Sequence, residues 1–375
     1  MNFLNKIKIN EVTAMLEQYT FLVMGTPKSG KTSLYRDFVL SHYGTPTAGL
    51  LIPFEKGYSA ISNINVLPFT ILNETEIDGD KREGWKVFVE IIDDLVSPDN
   101  KDIKMVCIDT IDEFLEVASK HICKISAQET GKPCRSLNAA FGGFNRGFER
   151  LASTVKEQLE RLKNAGIGIF FIGHTKVKNL KTKVDETEYQ ILGSNLSENM
   201  YSIIANGVDL IAMITNEPII VKGEITGYDR KIRFRSDGFY VAGSRFKDMP
   251  ETIEYNSEKF LQAIQTGIEK ASGKTIAELK AQEAKEMATF EARRKAVQLD
   301  RDELQAYFLN VRMAVQKLTS TGIASKTSLS AFGDYMESEG LTFKELGDMK
   351  KEHLDKICQI FRLTSTDLDF EAEEK

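Results

Sequence analysis

The residues Gly25, Thr26, Pro27, Lys28, Ser29, Gly30, Lys31 and Thr32, followed by Ser33, set two glycines, a lysine and a hydroxyl at the spacing G-x-x-x-x-G-K-T. Residue types in that order can hold a polyphosphate. The glycines let successive backbone N–H groups turn toward one anion, the Lys31 ammonium reaches the outer phosphates, and the Thr32 hydroxyl suits a divalent cation. The motif is meaningful only between a strand and a helix. Here the apolar run YTFLVM precedes it and the amphipathic KTSLYRDFVL follows it. The chemistry implied is binding of a nucleoside triphosphate, with ATP and Mg2+ as the expected cofactors.

A phosphate-bound Mg2+ needs a carboxylate nearby, and KMVCIDTIDEF supplies one at a strand end, Asp109. Thr32 and Asp109 are therefore the expected metal pair. Thr110 follows directly, so an acid that orients the attacking water must come from elsewhere. Glu55 closes the run GLLIPFE and would face the outer phosphate if its strand neighbours the strand of the phosphate loop. Asp112 and Glu113 could reach the same place from the next helix. Glu55 is preferred, because ligands of open α/β sheets gather at strand C-termini. His174 ends the run GIGIFFIGHTK at the same edge and is the candidate for sensing the outer phosphate.

These residues have to be delivered by strands and helices in alternation. Strands are expected at Tyr19–Met24, Gly49–Pro53, Asn65–Leu72, Lys104–Ile108, Gly168–Ile172 and Val208–Ile214, each too apolar to be half solvated. Helices are expected at Lys31–Leu40, Glu83–Leu95, Ile111–Ile125 and Phe148–Asn164, the last stopped by Gly166. That order predicts an α/β fold with a mostly parallel central sheet and helices on both faces. The short runs PIIVKG, RKIRFRS and FYVAG read as antiparallel edge strands. The core is expected to end near Gly267. A long charged helix follows from Thr275 to Leu318, rich in Ala, Glu, Lys, Gln and Arg, and then a small helical module containing Phe332, Tyr335, Leu354, Ile357 and Phe361. In domain terms the expectation is a core over 1–268, a charged helix over 269–320 and a helical module with an acidic tail over 321–375.

Composition narrows the class. The chain has 375 residues, is 42% hydrophobic and 28% charged, and carries a formal net charge of −6. It contains no apolar run of the roughly 20 residues that a membrane span requires, and MNFLNKIKIN lacks the apolar stretch of a secretory signal. The expected location is cytoplasmic, without a membrane partner. Four scattered cysteines form no disulfide framework, and His121, Cys123 and Cys134 lack a fourth ligand at zinc-finger spacing. The net charge disfavours a bulk coat on duplex DNA but permits a local basic groove.

Taken in order, GTPKSGKT, IPFEKG, VCIDT, FGGFNRGFERL, FFIGHTK and VAGSRFKDMPETI resemble the RecA superfamily of P-loop ATPases, in particular AAA-type phage proteins proposed to act in single-strand annealing and recombination. The likeness spans Tyr19 to Tyr255. It implies a RecA-like core, ATP hydrolysis, oligomerisation, single-stranded DNA as partner together with a single-stranded-DNA-binding protein, and, for a phage protein, the bacterial host cytoplasm. It also strengthens Glu55 as the residue that orients water. It implies that Arg245, with Lys247 beside it, serves a neighbouring subunit's nucleotide, although Gly243 departs from the family's K-x-R pattern. The segment after His174, with Lys176, Lys178, Lys181, Lys183 and Tyr189, falls where relatives keep mobile DNA-binding loops, though Asp185, Glu186 and Glu188 dilute its charge. Two alternatives remain, a small-molecule or nucleotide kinase, for which no lid signature appears, and a non-catalytic ATP-gated scaffold.

Overall fold

The computed structural model describes residues 12–100, 102–181, 188–246, 248–339, 343 and 349–368. Lys183, Asp185, Glu186, Lys247, the opening ten residues and the acidic tail after Leu368 lie outside them. The chain divides into two compact units, one up to Ala288 and one from Thr289.

The first unit is a sheet with helices on both faces. Its elements are β1 (Thr20–Gly25), α1 (Lys31–Tyr43), β2 (Gly49–Pro53), the hairpin β3 (Glu74–Ile77) and β4 (Asp80–Glu83), α2 (Gly84–Val96), β5 (Met105–Asp109), α3 (Ile111–Thr130) and α4 (Arg146–Asn164). Then come β6 (Gly168–Lys181), β7 (Glu188–Ser194), α5 (Glu198–Ala205), β8 (Leu210–Val221), β9 (Glu224–Arg233), β10 (Gly243–Ser244), β11 (Thr252–Glu254) and α6 (Ser257–Ser272). The main path of the sheet runs β11-β9-β8-β1-β6-β5-β2, with β10 on β8 and β7 on β6. From β8 to β2 the pairs are parallel, while β9, β10, β11 and β7 pair antiparallel.

The continuous apolar runs fold as they do because both sheet faces are covered. On one face α2, α3 and α4 pack Trp85, Phe88, Phe114, Leu151 and Val155 against Leu22, Ile108 and Phe171. On the other, Leu34, Phe38, Phe260 and Ile264 from α1 and α6 cover Phe21, Val23 and Phe170. α1 is stopped by Gly44 in the left-handed conformation, whose N–H donates to Leu40 O, as a C-terminal glycine does. At the end of α4, Gly166 takes a φ of 72° and donates to Lys163 O.

Three expectations are corrected. Asn65–Leu72 is not a strand: it meets β2 at an isolated bridge, Leu51 to Val66, and by separate hydrogen bonds from Asn65 Nδ2 to Gly49 O and from Ile71 N to Pro53 O, and Pro68 has no N–H to continue a ladder. Over its described residues the segment after His174 is a strand pair rather than a loop, since β6 continues to Lys181 and pairs with β7 from Thr175↔Ser194 to Lys181↔Glu188. Pro218–Val221 of PIIVKG end β8 rather than form a separate strand, with Lys222 and Gly223 in the turn to β9, and of FYVAG only Gly243 enters a strand, β10.

α7 (Ile276–Ser320) is a single helix over the long charged stretch. In the second unit α8 (Lys326–Glu339) and α9 (Lys351–Phe361) follow, and Phe308, Val311, Met336, Leu354, Ile357 and Phe361 form its core.

Phe170 sits among Phe21, Tyr35 and Phe38 with ring centroids 6.2, 5.2 and 5.8 Å away. Phe170→Ala leaves a cavity beneath the phosphate-loop helix and should cost about 3–5 kcal/mol of stability. Urea denaturation measures this, and a loss below about 1 kcal/mol would contradict the packing described.

Candidate nucleotide site

β1 ends at Gly25 and α1 begins at Lys31, so the loop between them sits at the C-terminal edge of the sheet. A Cβ at Gly25 would lie 2.6 Å from Ser29 Oγ and 3.2 Å from Ile214 O. Gly30 has a φ of 98°, and a Cβ there would meet Tyr255 Oη at 2.5 Å. Both glycines are thus required by close approach, and Gly30 by backbone conformation as well. No side chain caps α1, which leaves its first-turn N–H groups for an anion. Thr26, Pro27 and Lys28 are exposed, and Ser29 is buried.

Lys31 is buried and donates to Gly25 O at 3.1 Å and Thr26 O at 3.0 Å. Its ammonium is folded back on the loop and held by those two carbonyls. Burial lowers its pKa, and the charges of Asp109, Glu55 and Asp112 oppose that shift. Thr32 Oγ1 donates to Asp109 Oδ2 at 2.9 Å. Asp109 is only 3% exposed, and burial pushes its pKa up to about 6, with the Thr32 hydrogen bond pulling down, Glu55 adding to the rise and Lys31 pulling down again. A carboxylate so short of positive charge fits a cation. Hydroxyl and carboxylate are hard oxygen donors, which Mg2+ takes one or two at a time along with phosphates. Among the described residues no cluster of three or more acidic, His or Cys side chains could hold a metal by itself.

The condition set for Glu55 fails, yet Glu55 reaches the site. β2 does not neighbour β1, because β5 and β6 stand between them. The β2–β5 register puts Pro53 beside Asp109, and Asp109 O accepts from Phe54 N at 2.6 Å and Glu55 N at 3.2 Å. Glu55 Oε1 then lies 3.8 Å from His174 Nε2. His174 Nδ1 is 3.8 Å from Asp112 Oδ2. Glu113 is exposed, and its pKa is raised by partial burial and then by Glu55. The strand ends of β2, β5 and β6 and the first turn of α3 thereby bring Glu55, Asp109, His174, Asp112 and Glu113 together.

Arg245 is elsewhere. Its guanidinium pairs with Asp209 Oδ1 at 3.1 Å and donates to Asn206 O at 3.0 Å. Asp209 Oδ2 also accepts from Thr20 N, which places Arg245 at the opposite end of β1 from the phosphate loop. Its side chain is 62% exposed.

Sequence reasoning missed Tyr255 and Arg230. Tyr255 Oη donates to Gly30 O at 2.7 Å, and the Arg230 guanidinium lies over its ring at 5.0 Å. With Asn216, Tyr228, Asp229 and Glu254 they line a cavity of about 570 Å³ directly behind the loop. A tyrosine closing an edge strand gave no signal for this, since only the pairing of β9 with β11 brings residue 255 to residue 30.

Residues 17–246 match the family model described as an AAA domain. The chain belongs to this AAA-domain family. No curated protein matches it. The matched span contains the phosphate loop, Glu55, Asp109, His174 and Arg245, and ends before Tyr255. Membership makes nucleotide binding and hydrolysis the class of activity, and ATP with Mg2+ the expected ligands of the AAA domain. No helix among the described residues is long and apolar enough to cross a membrane.

The Asp109 shift has a definite sign. Its folded-state pKa of about 6 exceeds the ordinary 3.8, so the folded chain holds that proton more tightly than the unfolded chain. Its contribution favours the fold below about pH 4 and is lost as pH rises toward about 6. In metal-free buffer, Asp109→Asn should therefore gain about 1–3 kcal/mol over the parent between about pH 4 and pH 7.5. Urea denaturation at both pH values reads the difference, and a gap that does not change with pH would contradict it.

Proposed function

We propose that this AAA-domain protein is a Mg2+-dependent ATPase of RecA-like organisation. In this reading it assembles as a homo-oligomer on single-stranded DNA and acts in recombination, annealing or repair beside a single-stranded-DNA-binding protein. The observation that carries the reading is the continuity of β6. One strand runs from the core through His174, beside Glu55, into an antiparallel ribbon bearing Lys176, Lys178, Lys181 and the exposed Val177 and Tyr189. Lysines suit a phosphate backbone and Tyr189 a base face.

Lys31 and the α1 N-terminus bind the β- and γ-phosphates, and Thr32 with Asp109 holds the metal. The ion, when bound, neutralises charge on the phosphate oxygens. Glu55 orients the attacking water, and His174 beside it registers whether the outer phosphate is present. The cavity behind Gly30 takes the base, stacked on Tyr255 with Arg230 over the ring. Arg245, at the far end of β1, serves the nucleotide of an adjoining copy, where a cation stabilises the transferring phosphoryl group.

The direct test is Mg2+-dependent ATP hydrolysis over a protein concentration series, with and without single-stranded DNA. Stimulation by DNA that steepens with concentration is expected, with loss of turnover in Lys31→Ala and loss of the concentration dependence in Arg245→Ala. Turnover indifferent to DNA and concentration would instead favour a kinase or an ATP-gated scaffold. Normal hydrolysis by Lys31→Ala would remove the phosphate-loop assignment.

Tyr255→Ala should weaken binding of a fluorescent ATP analogue about 5- to 30-fold, the worth of one stacked base at about 1–2 kcal/mol. Equal loss of binding for ATP and inorganic triphosphate would show that Tyr255 shapes the loop rather than contacts the base.

A further inference from the structure

Asp112 stands in the first turn of α3, where an acid ordinarily serves its own helix. This one does not. Its Oδ2 accepts the backbone N–H of His174 at 3.0 Å, from a residue 62 positions later. The same oxygen is 3.8 Å from His174 Nδ1, while Nε2 on the other side of the ring is 3.8 Å from Glu55 Oε1. The imidazole is thus held within ion-pair range of two carboxylates. They differ in surroundings: the Asp112 side chain is 11% exposed and that of Glu55 is 39% exposed. A charge in drier surroundings acts more strongly on its neighbour. Asp112 Oδ1 is also buried, with no hydrogen-bond partner among the described residues. A buried acceptor left open usually signals a role beyond packing.

We infer that Asp112 is a positioning residue that fixes the orientation and tautomer of His174, the ring that stands beside Glu55. The proton is kept on Nδ1, toward Asp112, and Nε2 is turned to Glu55. The backbone bond from His174 N holds the end of β6 in the same grip, so ring and strand are anchored by one carboxylate. The consequence for turnover rests on the ATPase reading above, whereas the consequence for the ring does not.

Two measurements on the full-length chain separate these. Long-range ¹H–¹⁵N spectra report the tautomers of the four histidines, with His174→Gln identifying the signal of His174. The parent should show the Nδ1–H form alone, Asp112→Ala a mixture, and Asp112→Asn, which keeps an acceptor oxygen without its charge, a state between them. A ring unchanged in both variants, or an Nε2–H form in the parent, overturns the inference whether or not the protein hydrolyses ATP.

In steady-state kinetics, Asp112→Ala should lower kcat about tenfold or more while KM for ATP stays within about twofold, since the lost contact acts on the His174 ring beside the water-orienting group and not on phosphate binding. In a His174→Gln background the same substitution should cost nothing further. Losses that multiply in the double variant would mean that Asp112 acts independently of His174. An inactive parent would remove the ATPase reading and leave the spectra to decide the inference.

Discussion

The hydrogen bond from Thr32 to Asp109 ties the first turn of α1 to the end of β5. The strand carrying the phosphate loop and the strand carrying Asp109 are not adjacent, because β6 lies between them. The contact is therefore made above the sheet, across β6 near His174, and it is possible only while β1 and β5 keep their places along β6. Parallel register enforces this, with Gly25 opposite His174 and Asp109 opposite Ile172. A slip of one residue would turn Asp109 to the other face of the sheet. Burial of Phe21, Phe170 and Cys107 on one face and Leu22, Phe171 and Ile108 on the other holds the register.

Electrostatics follow from the same crowding. Glu55, Asp109, Asp112 and Glu113 share a small region with one buried ammonium, that of Lys31, and Lys31 is turned toward loop carbonyls. Asp109 and Glu113 are raised toward their neutral forms by burial, with Glu55 adding to both. Such an arrangement favours a ligand that brings its own positive charge with its phosphates, as a metal–triphosphate complex does. An anion alone would face four acids and one cation.

The phosphate loop, Asp109 and most of the sheet were legible because each depends on local pattern: glycine spacing, a run of apolar residues, an acid at a strand end. Glu55 and His174 were placed from strand ends alone, and the structure brings them together, although the neighbour supposed for β2 was wrong because strand order is not encoded by pattern. Asn65–Leu72 misled because its apolar content resembles a strand while Pro68 prevents a ladder. The extension of β6 was hidden because a lysine-rich stretch with only Val177 and Leu180 as apolar residues read equally as a loop, and only β7 across from it makes the difference. Tyr255 and Arg230 were beyond reach, since their approach to Gly30 depends on β9 folding back along β8 and on β11 pairing with β9.

The length of β6 has a mechanical consequence. It is one strand of 14 residues, anchored in the core up to Ile172 and leaving it at His174. From Thr175 to Lys181 it extends about 20 Å at roughly 3.3 Å per residue, stiffened by its partner β7. A pivot of about 5° at His174 displaces the far end by about 2 Å on that length. The ribbon is a lever whose short arm lies beside Glu55 and Asp112, so a change too small to alter any contact within the core is enlarged at its tip.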